Sequence, residues 1–504
     1  PPKEENTLRR GKRERRQPSR YVHNMTLAQA KEKHGHLVDT AQALEAQAFI
    51  ARDVFNPMYR RDVPAGRVIM PSKDIYSEKL DSEGKLERIK GRYDDVSSPT
   101  VSTEAIFVNV ALAARERRHV VTLDVGTAYL YAHNRFENYM ELKAPFAAAI
   151  VKQNPKWKKY LDTKGKMVVR LKKGLYGCIE SALLWYEYLT SLLGELGFKA
   201  NAYEPCVLNA IMNEVQVTIT LHVDDLLLSS VSKKNVDTVI NFMQSKFEKI
   251  TVHTGKVLKY LGMLFDFTKD GEVTVSMDHY IEDVLAQWNN EVKGVSMTPA
   301  TGVLFNVDTG SPPLARKEAE RFHSTVAKLL YAGKRVRIDI LTATTALTTR
   351  VQDPREADME KLLRIIRYLK SSKDVKLKLR CDELIVNSYI DASYGVHPDM
   401  KSHSGSVVSL GSGAVSASST KQKINTKSSC EAELTAVADK IGKAIWIRNY
   451  LVEQGWVRVS NTGEFNVLVF FERVIITASC EKPCFLFPAR VFRHEVCVKN
   501  ITAS

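Results

Sequence analysis

The stretch VQVTITLHVDDLLLSS, residues 215–230, interrupts an apolar strand pattern with two adjacent aspartates, Asp224 and Asp225. Its first eight residues alternate between apolar and polar, which is the period of a half-buried strand. The apolar run resumes after the pair, so the stretch predicts two strands joined by a tight turn with carboxylates at its tip. Two carboxylates a few ångströms apart repel by about 1 kcal/mol in water and by more at low dielectric. A bound divalent cation would neutralise that repulsion; an ordinary surface Asp-Asp turn is the simpler alternative.

A third carboxylate has similar surroundings. Asp124 ends the apolar run of VVTLDVGTAYL, residues 120–130, which also has the pattern of a strand. Three carboxylates on neighbouring strands can hold two Mg²⁺ ions and support in-line nucleotidyl transfer. The spacing permits this arrangement, and it leaves the surface-turn alternative open.

The composition of the whole chain limits the classes of protein to consider. Its 504 residues exceed what one core accommodates, so three or more subdomains are expected. A formal net charge of +15 favours a polyanionic partner such as nucleic acid, although a basic solvated surface would give the same charge. Seven scattered cysteines predict no disulfide framework. Neither a membrane-spanning run nor a signal-peptide pattern is found, which favours an intracellular location.

Several longer motifs carry a resemblance to a known family. LHVDDLLLSS (221–230) looks like the Val-Asp-Asp hairpin of reverse transcriptases, and LDVGTAYLYA (123–132) resembles their first palm carboxylate motif. Three further stretches resemble copia-type LTR retrotransposon Pol proteins: LKKGLYGCIESALLWYEYL (171–189), FHSTVAKLLYAGKRVRIDILTATTAL (322–347) and the segment from YIDASYG to AELTA (389–436). These motifs follow one another along the chain in the same order as in that family. The likeness covers residues 65–455.

The resemblance implies a mixed α/β (α+β) fold. A right-hand polymerase with fingers, palm and thumb would be followed by a helical connection and a truncated ribonuclease H-like α/β domain. The expected segments are a disordered basic arm (1–22), a helical lead-in (23–64), fingers and palm (65–250), a thumb-like region (251–315), the connection (316–383), the ribonuclease H-like segment (384–456) and a divergent tail (457–504). The chain begins with Pro rather than Met, so a fragment or processed piece is expected.

The resemblance also assigns roles in the polymerase. Asp124, Asp224 and Asp225 would be the catalytic metal ligands. Tyr129 matches the aromatic residue beneath the sugar of the incoming nucleotide, where its ring would exclude a 2′-hydroxyl; a core aromatic on a strand is the alternative. Basic side chains near the fingers would neutralise the triphosphate. They are Lys90 and Arg92, and a solvated basic turn is the competing interpretation.

A second motif lies at the position of the family's primer-gripping hairpin. KYLGM, residues 259–263, places Tyr260, Leu261, Gly262 and Met263 there. Simple strand packing explains the same pattern equally well.

In the ribonuclease H-like segment, Asp391 would be the first metal ligand. Glu433 matches the helix glutamate of the family. Glu431, two residues away, lies on a different helix face, so both glutamates do not easily serve one pair of metals. An exposed, solvated glutamate is the alternative for Glu433.

The departures from the family pattern bear on activity. About a dozen residues of the fingers are expected to be missing after Arg92, and no aspartate follows Asp439. Without the remaining carboxylates the ribonuclease H centre is expected to be inactive. The tail also contains Cys480, Cys484, His494 and Cys497, a loose match to zinc-ligand spacing that is more simply explained as accidental.

The function implied is that of an RNA-directed DNA polymerase with two Mg²⁺ ions, or Mn²⁺, at the polymerase site. Its partners would be an RNA template, a DNA primer, dNTPs and other Gag and Pol products of the element, with no membrane partner. A cytoplasmic particle or the nucleus would be its location. The alternative is a catalytically inactive retroelement remnant that retains only nucleic-acid binding. The sequence leaves the oligomeric state open.

Overall fold

The computed structural model describes residues 27–72, 75–80, 86–92, 99–175, 178, 180–288, 291–382, 384–456, 465–471, 474–478 and 497–499. For 75–80, 86–92 and the three stretches after residue 464, the description covers the backbone alone. The predicted basic arm, 1–22, lies outside the described residues. In the part of the chain that is described, no helix is both long enough and apolar enough to cross a membrane.

The elements are numbered in chain order. The helices are α1 Leu27–His34, α2 His36–Ala51, α3 Thr103–Arg115, α4 Ala144–Gln153, α5 Ser181–Gly194, α6 Lys233–Lys246, α7 Asp278–Ala286, α8 Arg316–Gly333, α9 Leu341–Thr348, α10 Glu356–Ser371 and α11 Ser429–Glu453, with 3-10 helices at Arg60–Asp62, Ala128–Tyr131, Pro155–Tyr160 and Ile338–Ile340. The strands are β1 Phe55–Met58, β2 Ile69–Pro71, β3 Ile75–Leu80, β4 Leu86–Arg92, β5 His119–Val125, β6 Tyr139–Leu142, β7 Met167–Leu171, β8 Lys199–Ala200, β9 Val207–Met212, β10 Val215–His222, β11 Asp225–Ser230, β12 Ile250–His253, β13 Val257–Tyr260, β14 Met263–Asp266, β15 Val273–Ser276, β16 Leu377–Cys381, β17 Val386–Ser393, β18 His403–Ser409, β19 Gly411–Ser412, β20 Ser416–Lys421, β21 Phe465–Phe471, β22 Val474–Ala478 and β23 Cys497–Lys499. This mixture of helices and sheets confirms the predicted mixed α/β class.

The chain divides into two compact units. Unit 1 comprises residues 1–98 and 127–189, and unit 2 comprises residues 99–126 and 190–504. Unit 1 contains a four-stranded sheet in the order β1-β7-β6-β2 and the hairpin β3-β4. Its core joins the sheet to α2 and α4, where the rings of Phe49 and Phe146 meet edge to face at 5.5 Å between centroids.

Unit 2 is built around a six-stranded sheet in the order β12-β5-β11-β10-β9-β8. The central strands β5 and β11 carry near-continuous apolar runs, and residues 226–230 are all buried. Helix α3 is also buried along most of its length, and its start is capped by Ser102, whose side chain accepts a hydrogen bond from the amide of Ala105. Apolar residues on all sides of a helix are typical of one enclosed by the protein interior.

A second sheet of unit 2 crosses the predicted domain boundaries. Its order is β13-β14-β15-β16-β19, so it takes strands from the predicted thumb-like region, connection and ribonuclease H-like segment. The pair β15–β16 aligns Val275 with Leu377. These three segments therefore share one sheet.

The third sheet of unit 2 has the order β20-β18-β17-β21-β22-β23. Strand β17 is antiparallel to β18 and parallel to β21, with Ile390 opposite Val469. Part of the tail that was expected to diverge, Phe465–Phe471, is thus a strand of this sheet, next to β17. Of the tail residues in the weak zinc match, Cys480, Cys484 and His494 lie outside the described residues.

The end of α11 is joined to the central sheet by a buried polar network. The amide of Asn109 donates to the hydroxyl of Thr220 at 2.9 Å, and its oxygen accepts from the Tyr450 hydroxyl at 2.7 Å and from Gln454 at 3.1 Å. The Gln216 side chain donates to the carbonyl of Gln454 at 2.6 Å. Tyr450 is fully buried, which raises the pKa of its hydroxyl far above the ordinary value. Buried polar groups satisfied in this way fix one arrangement of the elements that carry them.

Two predicted elements differ from the structure. The helical lead-in ends at Ala51, and Phe55–Met58 is a strand, because Asp53 has a positive φ of 52° and Pro57 cannot donate within a helix. The strand predicted over 120–130 ends at Val125, since Thr127 adopts a left-handed φ of 60° and a 3-10 helix follows.

A pair of buried histidines in unit 2 predicts acid sensitivity. His397 Nε2 and His403 Nδ1 lie 3.1 Å apart, and His403 Nε2 lies 2.7 Å from the Ser419 hydroxyl. Burial, together with the charges of His397 and Lys440, lowers the pKa of His403 to about 4. The unfolded chain therefore takes up this proton near pH 6.5 and the folded chain only near pH 4, so stability is lost as pH falls through that window.

We expect the free energy of unfolding to drop by roughly 2–3 kcal/mol between pH 6.5 and pH 4 through His403. Denaturant unfolding of wild type and His403→Gln at several pH values measures this dependence, which should be shallower in the variant. His279→Gln, at an exposed histidine, is the control. Equal pH dependence in all three proteins would contradict the expectation.

Candidate functional site

The strand–turn–strand predicted for residues 215–230 is confirmed. Strands β10 and β11 are antiparallel, with His222 opposite Asp225 at the end of the ladder. Only Val223 and Asp224 connect them. The carboxylates therefore lie at the tip of a two-residue hairpin, as the interrupted apolar pattern indicates.

Asp124 is directly opposite Asp225 in the register of β5 and β11. Opposite residues of an antiparallel pair project from the same face of a sheet, with Cα atoms about 4.5–5.5 Å apart. The amide of Val125 also donates to the carbonyl of Asp224 at 3.0 Å. The structure thus brings all three predicted polymerase carboxylates together where β5 ends and β11 begins, and each of them is half-buried.

The donor chemistry of these residues suits a hard divalent cation, because Mg²⁺ prefers carboxylate oxygens. Within the described residues, however, no three His, Cys, Asp or Glu side chains are gathered closely enough to hold a metal ion. The register of β5 and β11 therefore suits a metal site. The side chains themselves do not form a metal-binding cluster within the described residues.

The hairpin β13–β14 lies beside this edge. Leu261 and Gly262 connect its strands with positive φ angles of 50° and 76°, the pattern of a type I′ turn. Tyr260 is buried and its hydroxyl donates to the carbonyl of Thr220 at 3.2 Å. Burial, and secondarily the charge of Asp225, holds the pKa of Tyr260 well above its ordinary value.

The four residues of the predicted primer grip have different environments in this hairpin. Tyr260 and Met263 are buried, with 3% and 1% of their surface exposed, so they pack the hairpin against the sheet. Leu261 and Gly262, at the tip, are half-buried and exposed respectively. Strand packing, the competing explanation, thus holds for the two residues that flank the turn.

The remaining predicted nucleotide-binding residues belong to unit 1. Tyr129 is buried in the 3-10 helix Ala128–Tyr131, with 6% of its surface exposed, and does not lie on a strand. Lys90 and Arg92 are in β4, opposite Ser77 and Ile75 of β3, so the interpretation of this segment as a turn is wrong. The expected deletion would follow Arg92, and the next residues, 93–98, lie outside the described residues.

Asp391 and Glu433 meet where helix α11 packs on strand β17 of the third sheet of unit 2. Asp391 is on β17, and Oε1 of Glu433, on α11, accepts a hydrogen bond from the amide of Ala392 at 3.1 Å. Glu433 is buried rather than solvated; burial, reinforced by the neighbouring Asp391, raises its pKa to about 7. Glu431 instead accepts from the amide of Lys427 at 2.7 Å and so belongs to the cap of the helix.

Comparison with known proteins finds a family model and several relatives that are similar to this chain. Residues 72–301 match the family model described as reverse transcriptase (RNA-dependent DNA polymerase). The chain is 26% identical over 414 residues to the retrovirus-related Pol polyprotein from transposon TNT 1-94 of Nicotiana tabacum, an alignment that covers 78% of this chain and 30% of the relative. It is 28% identical over 322 residues to a transposon Ty5-1 protein of Saccharomyces cerevisiae, covering 63% of this chain and 99% of that protein.

The chain is similar to copia-type retrotransposon Pol proteins. A similar match, 26% identity over 440 residues, joins it to the Pol polyprotein from transposon RE1 of Arabidopsis thaliana, covering 84% of this chain and 28% of the relative. The chain therefore spans less than a third of the tobacco and Arabidopsis polyproteins. Reverse transcriptases act on nucleic acids and use divalent metal ions, and they are nucleotidyltransferases by family.

Sequence reasoning missed one basic residue near the three carboxylates. The amide of Gly126 donates to the carbonyl of Lys249 at 2.9 Å, and a Cβ placed on Gly126 would lie 3.2 Å from the Lys249 side chain. Strand β12 follows and places Thr251 opposite Asp124. The pairing of β12 with β5 joins residues far apart in the chain, so no local pattern indicates it.

The tip of the β10–β11 hairpin contains a strained residue. Val223 has a φ of 58°, a conformation that costs a β-branched residue about 1–2 kcal/mol. We expect Val223→Gly to leave the free energy of unfolding unchanged or slightly higher, since relief of strain offsets the added chain entropy. Primer extension should fall, because a freer tip holds Asp224 less firmly.

Denaturant unfolding and steady-state extension measure the two effects of Val223→Gly. Ile211→Gly, at an exposed position of the neighbouring strand β9, is the control and should lose stability without a specific loss of extension. A large loss of stability in Val223→Gly would show that the valine side chain, rather than the backbone, matters at this position.

Proposed function

We propose that this chain is an RNA-directed DNA polymerase that extends a DNA primer on an RNA template by two-metal nucleotidyl transfer. The observation that carries the proposal is the register of Asp124 opposite Asp225, with Asp224 in the two-residue connection between β10 and β11. Three carboxylates on one sheet edge are what the reaction requires of the protein. The match of residues 72–301 to the reverse transcriptase family supports the same chemistry.

In this proposal Asp124, Asp224 and Asp225 supply the carboxylate oxygens for two Mg²⁺ ions. Ions at that position provide Lewis-acid activation of a primer 3′-hydroxyl and charge neutralisation of the leaving pyrophosphate. Strand β5 fixes Asp124 because it is hydrogen-bonded on both sides, to β11 and to β12. Such a backbone keeps the carboxylates in position without reorganisation during the reaction.

The unit 1 residues have supporting roles in the proposal. Tyr129 limits the incoming sugar to one without a 2′-hydroxyl, and Lys90 and Arg92 neutralise the triphosphate. Unit 1 corresponds to the fingers and the sheet containing β5 and β11 to the palm. The hairpin β13–β14 begins a thumb-like region, with Leu261 and Gly262 toward the primer.

We propose that the segment containing β17 and α11 is a degenerate ribonuclease H-like domain. Asp391 and Glu433 supply two of its carboxylates, and the parallel neighbour β21 places apolar residues, Val469 and those beside it, alongside the Asp391 end of β17. No aspartate follows Asp439 in the chain. Two carboxylates are fewer than a two-metal site needs, so RNA cleavage is not expected.

The function is tested by primer extension on poly(rA)/oligo(dT) with dTTP and Mg²⁺. The second candidate, an inactive remnant that only binds nucleic acid, is favoured by the expected shortening of the fingers after Arg92. The decisive experiment therefore measures extension and template–primer binding on the same preparation, with binding followed across salt concentrations.

Extension that stops when EDTA removes the metal supports the polymerase. Salt-sensitive binding without extension at any Mg²⁺ or Mn²⁺ concentration supports the remnant. Labelled RNA in an RNA–DNA hybrid, added to the same reactions, should remain uncut in either case.

A further inference from the structure

We propose that unit 1 carries a separate binding surface for single-stranded RNA, formed by Tyr59, Tyr160 and the lysines around Tyr160. This cation–aromatic surface is defined by residues 59–61 and 156–160. It includes none of the residues assigned above to the polymerase reaction. Its ligand class is an unpaired nucleic-acid strand, which offers phosphates and exposed base faces together.

Two segments distant in the chain meet at this surface. The rings of Tyr59, which follows β1, and Tyr160, which ends the 3-10 helix Pro155–Tyr160, are 4.9 Å apart between centroids. Tyr59 is 36% exposed and Tyr160 is half-buried. An aromatic pair at the surface of a protein presents flat apolar area on which a base can stack.

Both tyrosines are accompanied by cations. The guanidinium of Arg61 lies 4.9 Å from the centre of the Tyr59 ring, and the Lys159 ammonium lies 5.0 Å from that of Tyr160. Lys156 and Lys158 are exposed on the same 3-10 helix. Among the described residues, no carboxylate lies within ion-pair distance of these three lysines.

Positive charge is concentrated in the segment that forms this surface, in addition to the positive net charge of the whole chain. Residues 152–166 contain six lysines and one aspartate. The single acid, Asp162, accepts from the amides of Lys164 and Lys166 at 2.8 Å each, so it shapes the turn that follows the lysines. Nearby Glu141 is engaged by Arg60 and Lys166. These two carboxylates, Asp162 and Glu141, therefore have partners other than the three lysines.

The surface is held by a rigid base. Trp157, in the middle of the 3-10 helix, packs on Phe55 of β1 with 5.8 Å between ring centroids, and Phe55 is buried in the core of unit 1. The backbone segments that carry the tyrosines and lysines are therefore held in place before any ligand arrives. Such preorganisation lowers the entropy lost on binding.

Aromatic rings next to cationic side chains favour a single nucleic-acid strand over a duplex. In a duplex the base faces are stacked on one another, and only phosphates and groove edges are accessible. Exposed aromatic rings next to cations are instead the arrangement of proteins that bind single strands, where stacking and phosphate neutralisation act together. RNA is chosen because the proposed function supplies an RNA template, and the binding itself needs no catalysis.

The test is lysine footprinting of the full chain with oligouridylate, without primer, dNTP or metal. Acetylation of Lys156, Lys158 and Lys159, read by mass spectrometry, should fall several-fold when RNA is bound. Lys233, Lys234 and Lys317, exposed on α6 and α8, should react equally with and without RNA. Equal reactivity of all six lysines would overturn the proposal.

Variants supply the second measurement. Replacing Lys156, Lys158 and Lys159 together by Ala should lower the slope of log affinity against log salt by about 2, at about 0.7 for each phosphate contact on a single strand. The matched triple replacement of Lys233, Lys234 and Lys317 should leave the slope unchanged. Equal slopes for both triple variants would contradict the proposal.

Stacking is tested by Tyr59→Leu, which keeps apolar bulk but removes the ring. A 2-aminopurine within the oligouridylate should be quenched on binding wild type, and the quenching should be lost with the variant while affinity falls about tenfold. A Tyr59→Leu protein that binds and quenches like wild type, or a duplex that protects the lysines as well as the single strand does, would show a phosphate-only surface and overturn the proposal. Loss of primer extension would affect neither readout, so the two proposals fail separately.

Discussion

Asp225→Asn is expected to abolish primer extension while raising the thermal stability of the protein. The loss should be on the order of 10³-fold, because several kcal/mol of charge stabilisation disappear and each 1.36 kcal/mol corresponds to a factor of ten. The gain in stability follows from the register, which holds Asp225 opposite Asp124. Like charges directly opposite each other on neighbouring strands destabilise a sheet.

The size of the gain depends on the local dielectric. At about 4 Å, two unit charges repel by about 1 kcal/mol in water and about 4 kcal/mol at an effective dielectric of 20. Both aspartates are half-buried, so we expect a value toward the lower end. Asparagine keeps the shape of aspartate, and the change therefore removes charge with little effect on packing.

Thermal unfolding with and without Mg²⁺ separates the two effects. Wild type should be stabilised by Mg²⁺, whereas Asp225→Asn should be more stable at the outset and insensitive to the ion. Asp237→Asn, at an exposed position of α6, is the matched control and should change neither property. An Asp225→Asn protein that still extends primers would remove the carboxylate pair from the proposed mechanism.

Asn109→Ala is expected to lower the free energy of unfolding of unit 2 by about 3 kcal/mol. The side chain is 5% exposed and joins Thr220 of β10 to Tyr450 and Gln454 at the end of α11. Its removal leaves the Thr220 hydroxyl buried without this donor and weakens the contacts of Tyr450 and Gln454. Each buried polar group left unsatisfied costs about 1–3 kcal/mol.

Urea unfolding followed by circular dichroism measures this change. The control is Glu453→Ala, an exposed position one residue before Gln454, which should remain within about 0.5 kcal/mol of wild type. Extension should also decline on warming in Asn109→Ala, because β10 leads directly to the carboxylate hairpin. Equal stability of the two variants would show that α11 is attached to the central sheet by other contacts.

Local periodicity was sufficient to predict the elements closest to the site. The alternation of residues 215–222 predicts β10, and the structure places this strand at Val215–His222. The two adjacent aspartates indicated the hairpin tip because charge in an apolar strand needs a structural reason. These features depend on residues near one another in the chain.

What sequence could not predict depends on pairing between distant segments. The opposition of Asp124 to Asp225, the position of Lys249 beside Gly126 and the burial of Tyr260 all follow from which strands become neighbours. The same holds for the polar network of Asn109. Its members look like ordinary polar residues on a helix or strand, and only the docking of α11 makes them a buried set.

In the sheet β13-β14-β15-β16-β19, strand β15 must wait for its partner β16 while the chain is being synthesised. Strand β15 is finished roughly a hundred residues before β16, its partner, leaves the ribosome, and a loop of that size costs several kcal/mol of entropy to close. Until then the edge of β15 is open and able to pair with another chain. Copies of the element interrupted before residue 377 would therefore yield proteins prone to aggregate, however intact their carboxylate hairpin.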